Sequence, residues 1–427
     1  MKTSKYRWAI LALLTLAMMI NYMDRAALSV AIPFITKDFH LTAAEKGLIF
    51  SCFFIGYAAF NFIGGYLSDR FGPKSVFTWS MVIWSLLCGA TAGVFNFWSL
   101  LAARVLFGLG EGPVSAISNK TINNWFPVRE RARAIGINQA GGPIGGALAG
   151  PVVGLLALWL GWRTAFVIIA LLGLLWALVW HRMSRDLPAQ SEHVSPAELQ
   201  LINAERQSVA ATSDAEKANL LTIITQREVL VTGGALFCYN YILFFFMTWF
   251  PSYLIDARGV SLKEMSFFSA LPWLMGALGF LCGGWLIDTL YRITGKLLFS
   301  RKVVLVCSLL TSSLCIGVVG LIDDTMQIVA VMTLAIGALM LAGPGFWALI
   351  QDSVAPSCMG TAGGFMHMLS NLSGIIAPAA TGFIIQSAKT YTGGFVLAAV
   401  LGLVGALVIV IFIHQRPPSA MPVVKPA

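Results

Sequence analysis

About a dozen stretches of the chain stay apolar over the length of a membrane-crossing helix, and no other feature constrains the fold as much. A helix needs roughly 20 mainly apolar residues to cross the hydrocarbon layer. Such runs fall at 8–36, 46–68, 75–94, 98–120, 135–158 and 162–182, then at 229–255, 264–290, 302–320, 325–350, 361–386 and 391–414. Leu, Ile, Val, Phe and Ala fill them without the strict alternation of a membrane β-barrel. Composition agrees: 58% of residues are hydrophobic and 11% charged, against about 25% charged in a soluble domain. The polar residues are too few to cover a globule, so lipid is part of the solvent. The expected fold is all-α integral membrane, with twelve transmembrane helices.

The net charge of +9 raises the question of nucleic acid, and its distribution answers against it. Lys2, Lys5 and Arg7 precede the first run; Arg70 and Lys74 follow the second; Arg129, Arg131 and Arg133 follow the fourth. Arg182 and Arg185 follow the sixth, and Arg292, Lys296, Arg301 and Lys302 cluster after the eighth. The intervening loops are poor in cations, and one carries Asp323 and Asp324. The positive-inside bias therefore puts both termini in the cytoplasm. The first run is not a cleaved signal, because it is too long and contains Asp24 and Arg25. The seven cysteines lie mostly within the runs without metal-ligand spacing and read as buried structural thiols.

A polar interruption from Met183 to Gln226 divides the chain. The expected organisation is a six-helix bundle over 1–182, a cytosolic linker over 183–228, and a second six-helix bundle with tail over 229–427. Within the linker, Ser195-Pro196-Ala197-Glu198 has the form of a capping box with Pro at the first helical position. It predicts a short helix from Pro196 to Gln207. The two bundles repeat. Gly64-Gly65-Tyr66-Leu67-Ser68-Asp69-Arg70 after the second run corresponds to Gly283-Gly284-Trp285-Leu286-Ile287-Asp288 after the eighth. A parallel six-span repeat is a recurring design of secondary transporters, with the substrate site between the halves near the membrane midplane.

Gly65-Tyr66-Leu67-Ser68-Asp69-Arg70-Phe71-Gly72-Pro73-Lys74 resembles the loop signature of the major facilitator superfamily, G-x-L-[SA]-D-R-x-G-[RK]-[RK], departing from it at Pro73. Three further segments, Asn21-Tyr22-Met23-Asp24-Arg25, Gly108-Leu109-Gly110-Glu111-Gly112-Pro113 and Trp125-Phe126-Pro127-Val128-Arg129-Glu130-Arg131-Ala132-Arg133-Ala134-Ile135-Gly136, look like its anion:cation symporter branch. That branch includes bacterial hexuronate, galactonate, glucarate and tartrate permeases. The resemblance implies proton-coupled uptake of a small organic anion, a sugar acid above all, with no cofactor beyond the proton gradient. It also implies that Asp69, with Arg70 beside it, latches one conformation of the transport cycle. The short loop from Thr36 to Lys46 favours a bacterial inner-membrane permease over the vertebrate relatives. Gly142-Pro143-Ile144-Gly145-Gly146 is similar to a signature of proton-driven drug exporters but is one residue short, with Asn138 where a glycine is expected. Gly142, Gly146, Gly150 and Gly154 read instead as a close-packing face.

Charge inside a span costs about 2.5–3.5 kcal/mol per residue on insertion scales, so Asp24 and Arg25 in the first run and Arg104 and Glu111 in the fourth need a reason. They either form structural ion pairs or work in transport. Arg25 offers a permanently charged planar fork suited to a carboxylate and is the first choice for the anion. Tyr22, three residues earlier, and Ser29, four later, share its helical face. Asp24 points about 100° away, where desolvation and nearby cations compete to set its protonation. Arg104 and Glu111 lie two turns apart, about 10 Å along the axis, too far for direct contact; Arg104 is a charge partner for one of the carboxylates. The resemblance implies Asp24 and Glu111 as proton-coupling sites, and Tyr57, Gln139 and Asn371 as residues lining the substrate cavity. Asn240, Tyr241 and Gln351 are weaker candidates.

Other classes fit less well. Gly295-Lys296 lacks the rest of a phosphate-binding loop, which removes an ATP-driven pump. The five histidines form no dyad with an acid, and His367 stands alone in its span, so no enzyme is proposed. A non-transporting receptor has no added signalling domain to support it, whereas export or exchange of organic anions remains the rival within transport. A monomer is expected, because one chain supplies both halves of the path.

Overall fold

The computed structural model describes residues 5–204, 225–353 and 359–413. Regular structure among them is helical. The first half contains α1 (Tyr6–Phe39), α2 (Ala43–Phe71), α3 (Pro73–Ala90), α4 (Phe97–Glu111), α5 (Val114–Trp125), α6 (Val128–Leu160) and α7 (Trp162–Met183). The linker contributes α8 (Pro196–Ala204). The second half contains α9 (Arg227–Asp256), α10 (Leu262–Phe268), α11 (Ala270–Thr294), α12 (Leu297–Val318), α13 (Thr325–Leu341), α14 (Gly343–Ser353), α15 (Met359–Ala388) and α16 (Thr392–Phe412). Eleven spans among the described residues are long and apolar enough to cross a membrane. The 29-residue α2 is of spanning length too and completes the set of twelve.

Three expected single helices are broken. The run at 98–120 divides into α4 and α5 at Gly112-Pro113, and the run at 325–350 divides into α13 and α14 at Ala342. Both breaks stand beside a Gly-Pro pair, Gly112-Pro113 and Gly343-Pro344; proline removes a helix hydrogen bond and crowds the preceding turn. The run at 264–290 divides after Phe268, into α10 and α11. The linker helix runs Pro196–Ala204, and the rest of the range expected for it lies outside the described residues.

The repeat extends to the helix ends. α2 starts with a Thr42/Glu45 capping box and α10 with a Ser261/Glu264 box, at matching places in the two halves. Likewise Asn96 caps α4 and Asp324 caps α13. Each side chain satisfies a backbone N–H that the first helical turn leaves without a partner. Between α2 and α3 the chain reverses through Gly72, whose φ of 81° disfavours a side chain. A Cβ there would also strike the Asp186 carboxylate, which accepts the Lys74 N–H at 2.8 Å.

The halves meet along α2 and α15, α6 and α10–α11, and α1 and α9. The seam is built from small residues. A Cβ on Gly47 would fall 2.5 Å from the Pro378 carbonyl oxygen, and Gly374 sits against the Phe54 ring. The face expected for close packing behaves as one: Gly142 abuts Tyr22, Gly146 abuts Trp273, and Gly150 and Gly154 abut Ser266. Away from the termini the seam is closed by polar contacts. Lys46 pairs with Asp256 at 3.1 Å, Tyr391 donates to the same carboxylate at 2.9 Å, and the Ala44 N–H donates to Gln386 at 3.0 Å.

On the face that carries the termini, α8 holds the start of α1. Glu198, fully buried, accepts the backbone N–H groups of Tyr6 and Arg7 and pairs with the Arg7 guanidinium at 2.8 Å. Arg7 also pairs with Glu130 at 3.0 Å. Cys88 and Cys238 are buried as expected, but Cys282 and Cys307 are exposed. In a bundle whose outer surface faces lipid, an apolar thiol loses nothing by standing there. Cys358 lies outside the described residues.

Candidate functional site

α1 brings Tyr22, Asp24 and Arg25 to the middle of the bundle, and α4 brings Arg104 and Glu111 to meet them. The approach of α2 to α4 depends on glycine. A Cβ on Gly56 would collide with the Val105 carbonyl and one on Gly108 with the Phe53 carbonyl. This closeness sets Phe53 and Tyr57 against the charged residues. The Arg25 guanidinium carbon lies 4.3 Å from the centre of the Tyr57 ring and 5.3 Å from those of Tyr22 and Phe53. Three aromatic faces thus hold one cation, an arrangement that stabilises positive charge where water is scarce.

Arg25 Nε donates to Glu111 Oε2 at 2.8 Å, with both side chains buried. Glu111 is the last residue of α4 and stands immediately before the Gly112-Pro113 break. Its other oxygen, Oε1, makes no bond of strict hydrogen-bond geometry among the described residues, and the Asn21 amide, one turn before Arg25 on α1, stands beside the carboxylate. Asp24 is turned away from Arg25, as the helical geometry predicts; its Oδ2 accepts the Trp84 Nε1–H at 3.1 Å, and Oδ1 is unpartnered among the described residues. Arg104 does not bond Glu111 directly. It lies over Phe107, at 4.5 Å, and over Phe53, at 5.3 Å. Its Nε and Nη1 have no acceptor among the described residues. The two carboxylates and two guanidiniums are within electrostatic reach of one another. With all four ionised, the cluster is neutral.

Of the remaining sequence candidates, Tyr57 belongs to this cluster and Tyr22 borders it. Ser29, on the same face of α1, spends its hydroxyl on the Ala26 carbonyl. Gln139 is partly exposed on α6, one turn before the glycine that packs on Tyr22. Asn371, on α15, belongs to the second half. Its Nδ2 donates to the His367 carbonyl at 2.8 Å and lies 3.0 Å from His367 Nδ1. Asn240 is partly exposed and Tyr241 buried. Arg70 is exposed at the end of α2, 5.5 Å from the Phe71 ring, and is not brought to the charged cluster. The side chains of Asp69 and Gln351 lie outside the described residues.

Trp84 is not among the residues expected from the sequence, and His367 was set aside there for want of an acidic partner. Nothing in the sequence marks Trp84, whose partner is 60 residues away. His367 had a visible signal, its position four residues before Asn371 on one helical face.

A family profile described as Major Facilitator Superfamily matches residues 14–378 and 293–426. The chain belongs to that superfamily: it is a multi-pass membrane transporter and not an enzyme. It is 47% identical over 413 residues to the hexuronate transporter of Bacillus subtilis (strain 168), covering 96% of each chain. It is 30% identical to a probable galactarate/D-glucarate transporter of Escherichia coli (strain K12), covering 95% of this chain and 93% of that one. The D-galactonate transporter of Escherichia coli O6:H1 is 29% identical over 95% of this chain and 94% of its own. Among solved structures, a bacterial homologue of the human lysosomal transporter Spinster, in an inward-facing and occupied conformation, superposes with a TM-score of 0.76. Its identity is 20%, and 96% of this chain and 97% of that chain are covered; this likeness speaks for the fold.

Proposed function

We propose that the protein is a proton-coupled symporter that imports a small sugar acid by alternating access. The observation that carries this reading is the buried Arg25–Glu111 pair at 2.8 Å. Arg25 is the caged cation suited to a substrate carboxylate, and Glu111 already occupies it. A substrate anion and an ionised Glu111 compete for one fork. Protonating Glu111 removes the competitor and frees Arg25 at the same moment. Proton binding and anion binding thereby favour each other, which is what symport requires. Asp24, bonded to Trp84 and within reach of both guanidiniums, supplies a second protonation site. Tyr22, Tyr57 and Gln139 offer phenol and amide groups to the hydroxyls of a sugar acid, and Asn371, whose NH2 is taken by His367, offers its amide oxygen. The transporters named above as relatives support that substrate class.

Two protons with one monovalent anion move a net positive charge inward and gain about 2.3 kcal/mol per 100 mV. The reading therefore has more than one proton per monovalent anion. The face carrying the termini is cytosolic in this account, supported by the basic residues of its loops, and the membrane is a bacterial inner membrane. Asp69 and Arg70 act in gating, away from the substrate, and the chain works as a monomer. The test is uptake of labelled D-glucuronate, D-galactonate and D-glucarate into proteoliposomes under an imposed pH gradient, with and without a membrane potential. Uptake of at least one acid, driven by the gradient and accelerated by interior-negative potential, supports symport. Uptake indifferent to both would make the protein an exchanger.

A further inference from the structure

The second half holds a group toward the Arg25 cluster that the symport reading leaves unused. His367 sits on α15 two turns before Gly374, which packs on Phe54 beside the Tyr57 ring that faces Arg25. It is partly exposed although it lies deep in the bundle, and the Trp347 ring stands 6.1 Å away, tilted by 34°. Its chemistry is set by Asn371, one turn later. The Asn371 amide has one end 2.8 Å from the His367 carbonyl oxygen. A carbonyl only accepts, so that end is the NH2 group. The same nitrogen lies 3.0 Å from His367 Nδ1. An amide nitrogen donates and does not accept, so Nδ1 is the acceptor. The ring proton is therefore on Nε2, at the edge away from Asn371, and no partner holds Nε2 among the described residues.

We propose that His367 Nε2–H is the second half's hydrogen-bond donor to the substrate, with Asn371 as its positioning residue. This rests on the sugar-acid reading above and narrows it. The N-terminal half meets the anion with the caged Arg25 cation. His367 meets the other end of the molecule with an uncharged donor, which suits a hydroxyl or ring oxygen and does not neutralise a second carboxylate. The site accordingly selects sugar acids with one carboxylate over those with two, and it ties the two halves together through the bound molecule.

The experiment measures KM and Vmax for D-glucuronate, with D-glucarate as competitor, in proteoliposomes of the full chain. His367→Ala should raise KM for D-glucuronate about tenfold, with Vmax within about twofold, the effect of one lost hydrogen bond. His367→Gln, whose amide can offer an N–H near the same place, should recover most of the affinity. Asn371→Asp should match His367→Ala, because a carboxylate accepts only and draws the ring proton to Nδ1. Imidazole 15N spectra should show that proton on Nε2 in the parent and on Nδ1 in Asn371→Asp. His367→Arg should improve competition by D-glucarate relative to D-glucuronate. An unchanged KM in His367→Ala, or a parent spectrum with the proton on Nδ1, overturns the proposal while leaving symport standing. A parent that takes up no sugar acid overturns the reading beneath it instead.

Discussion

Glu111→Gln isolates the competition on which coupling depends. Glutamine keeps the size of the side chain and can still accept from Arg25 Nε, but it carries no charge at any pH. In the parent, an arriving carboxylate must displace an ionised Glu111 from a bond of 2.8 Å. A hydrogen bond to a charged group is worth about 1.5–3 kcal/mol, so the displacement weakens binding roughly 10- to 150-fold. Where Glu111 is protonated, parent and variant should bind D-glucuronate alike. As pH rises, Glu111 loses its proton and reclaims Arg25. The parent's affinity should then fall, by about tenfold per pH unit for each linked proton, while Glu111→Gln follows a shallower slope set by Asp24 alone. Calorimetric titration of purified protein from mildly acidic to mildly alkaline pH reads both curves. At the alkaline end the variant should be the tighter binder by the factor above, yet unable to accumulate substrate. A pH slope in Glu111→Gln equal to the parent's, or no binding at any pH, would refute the reasoning.

The other expectations are more local. Glu198→Ala removes the buried partner of Arg7 and the cap of α1 together. Glu130 still pairs with Arg7 at 3.0 Å, so the loss should be that of a charged hydrogen bond, about 1.5–3 kcal/mol, read as a lowered unfolding temperature in detergent, with Glu198→Gln milder. Gly47→Val puts a side chain where a Cβ would already lie 2.5 Å from the Pro378 carbonyl, so the seam on the face opposite the termini should fail to close. Spin-label distances across α2 and α15 should lengthen there, and transport should stop while the protein remains folded. Lys46→Ala should do far less. Lys46 is itself buried, but the Asp256 carboxylate it would leave behind is 40% exposed, so the loss should stay at about 1 kcal/mol, and transport rates should change less than about fivefold. Arg25→Lys keeps the charge but loses the planar fork and should raise KM for D-glucuronate by at least about tenfold.

The bundle architecture was legible because its determinants are local. Apolar run length, basic loops and the Gly-Gly…Asp repeat are each written within a few residues. The Ser195–Glu198 box that opens the linker helix is likewise a four-residue pattern; boxes of the same form at Thr42 and Ser261 came from the structure. The helix breaks were spelled out as Gly112-Pro113 and Gly343-Pro344 but lay inside runs whose hydropathy does not register them. The charged residues could be named from their cost in lipid, but not paired. Arg25 and Glu111 are separated by 86 residues, and only the packing of α1, α2 and α4 decides that they meet. The sequence placed Glu111 on one face with Arg104 and offered nothing to choose Arg25 as its partner. Trp84 reaches Asp24 in the same way. Asn371 was named only from the resemblance; its bonds to His367 needed side-chain distances.

The central claim, that anion and protons cross together, is tested most directly by the reversal potential of D-glucuronate flux in proteoliposomes with defined pH and substrate gradients. The account predicts a reversal potential that requires more than one proton per anion, and no concentrative flux after Asp24→Asn or Glu111→Gln. A flux whose reversal follows the substrate gradient alone, unmoved by pH or voltage, would contradict it.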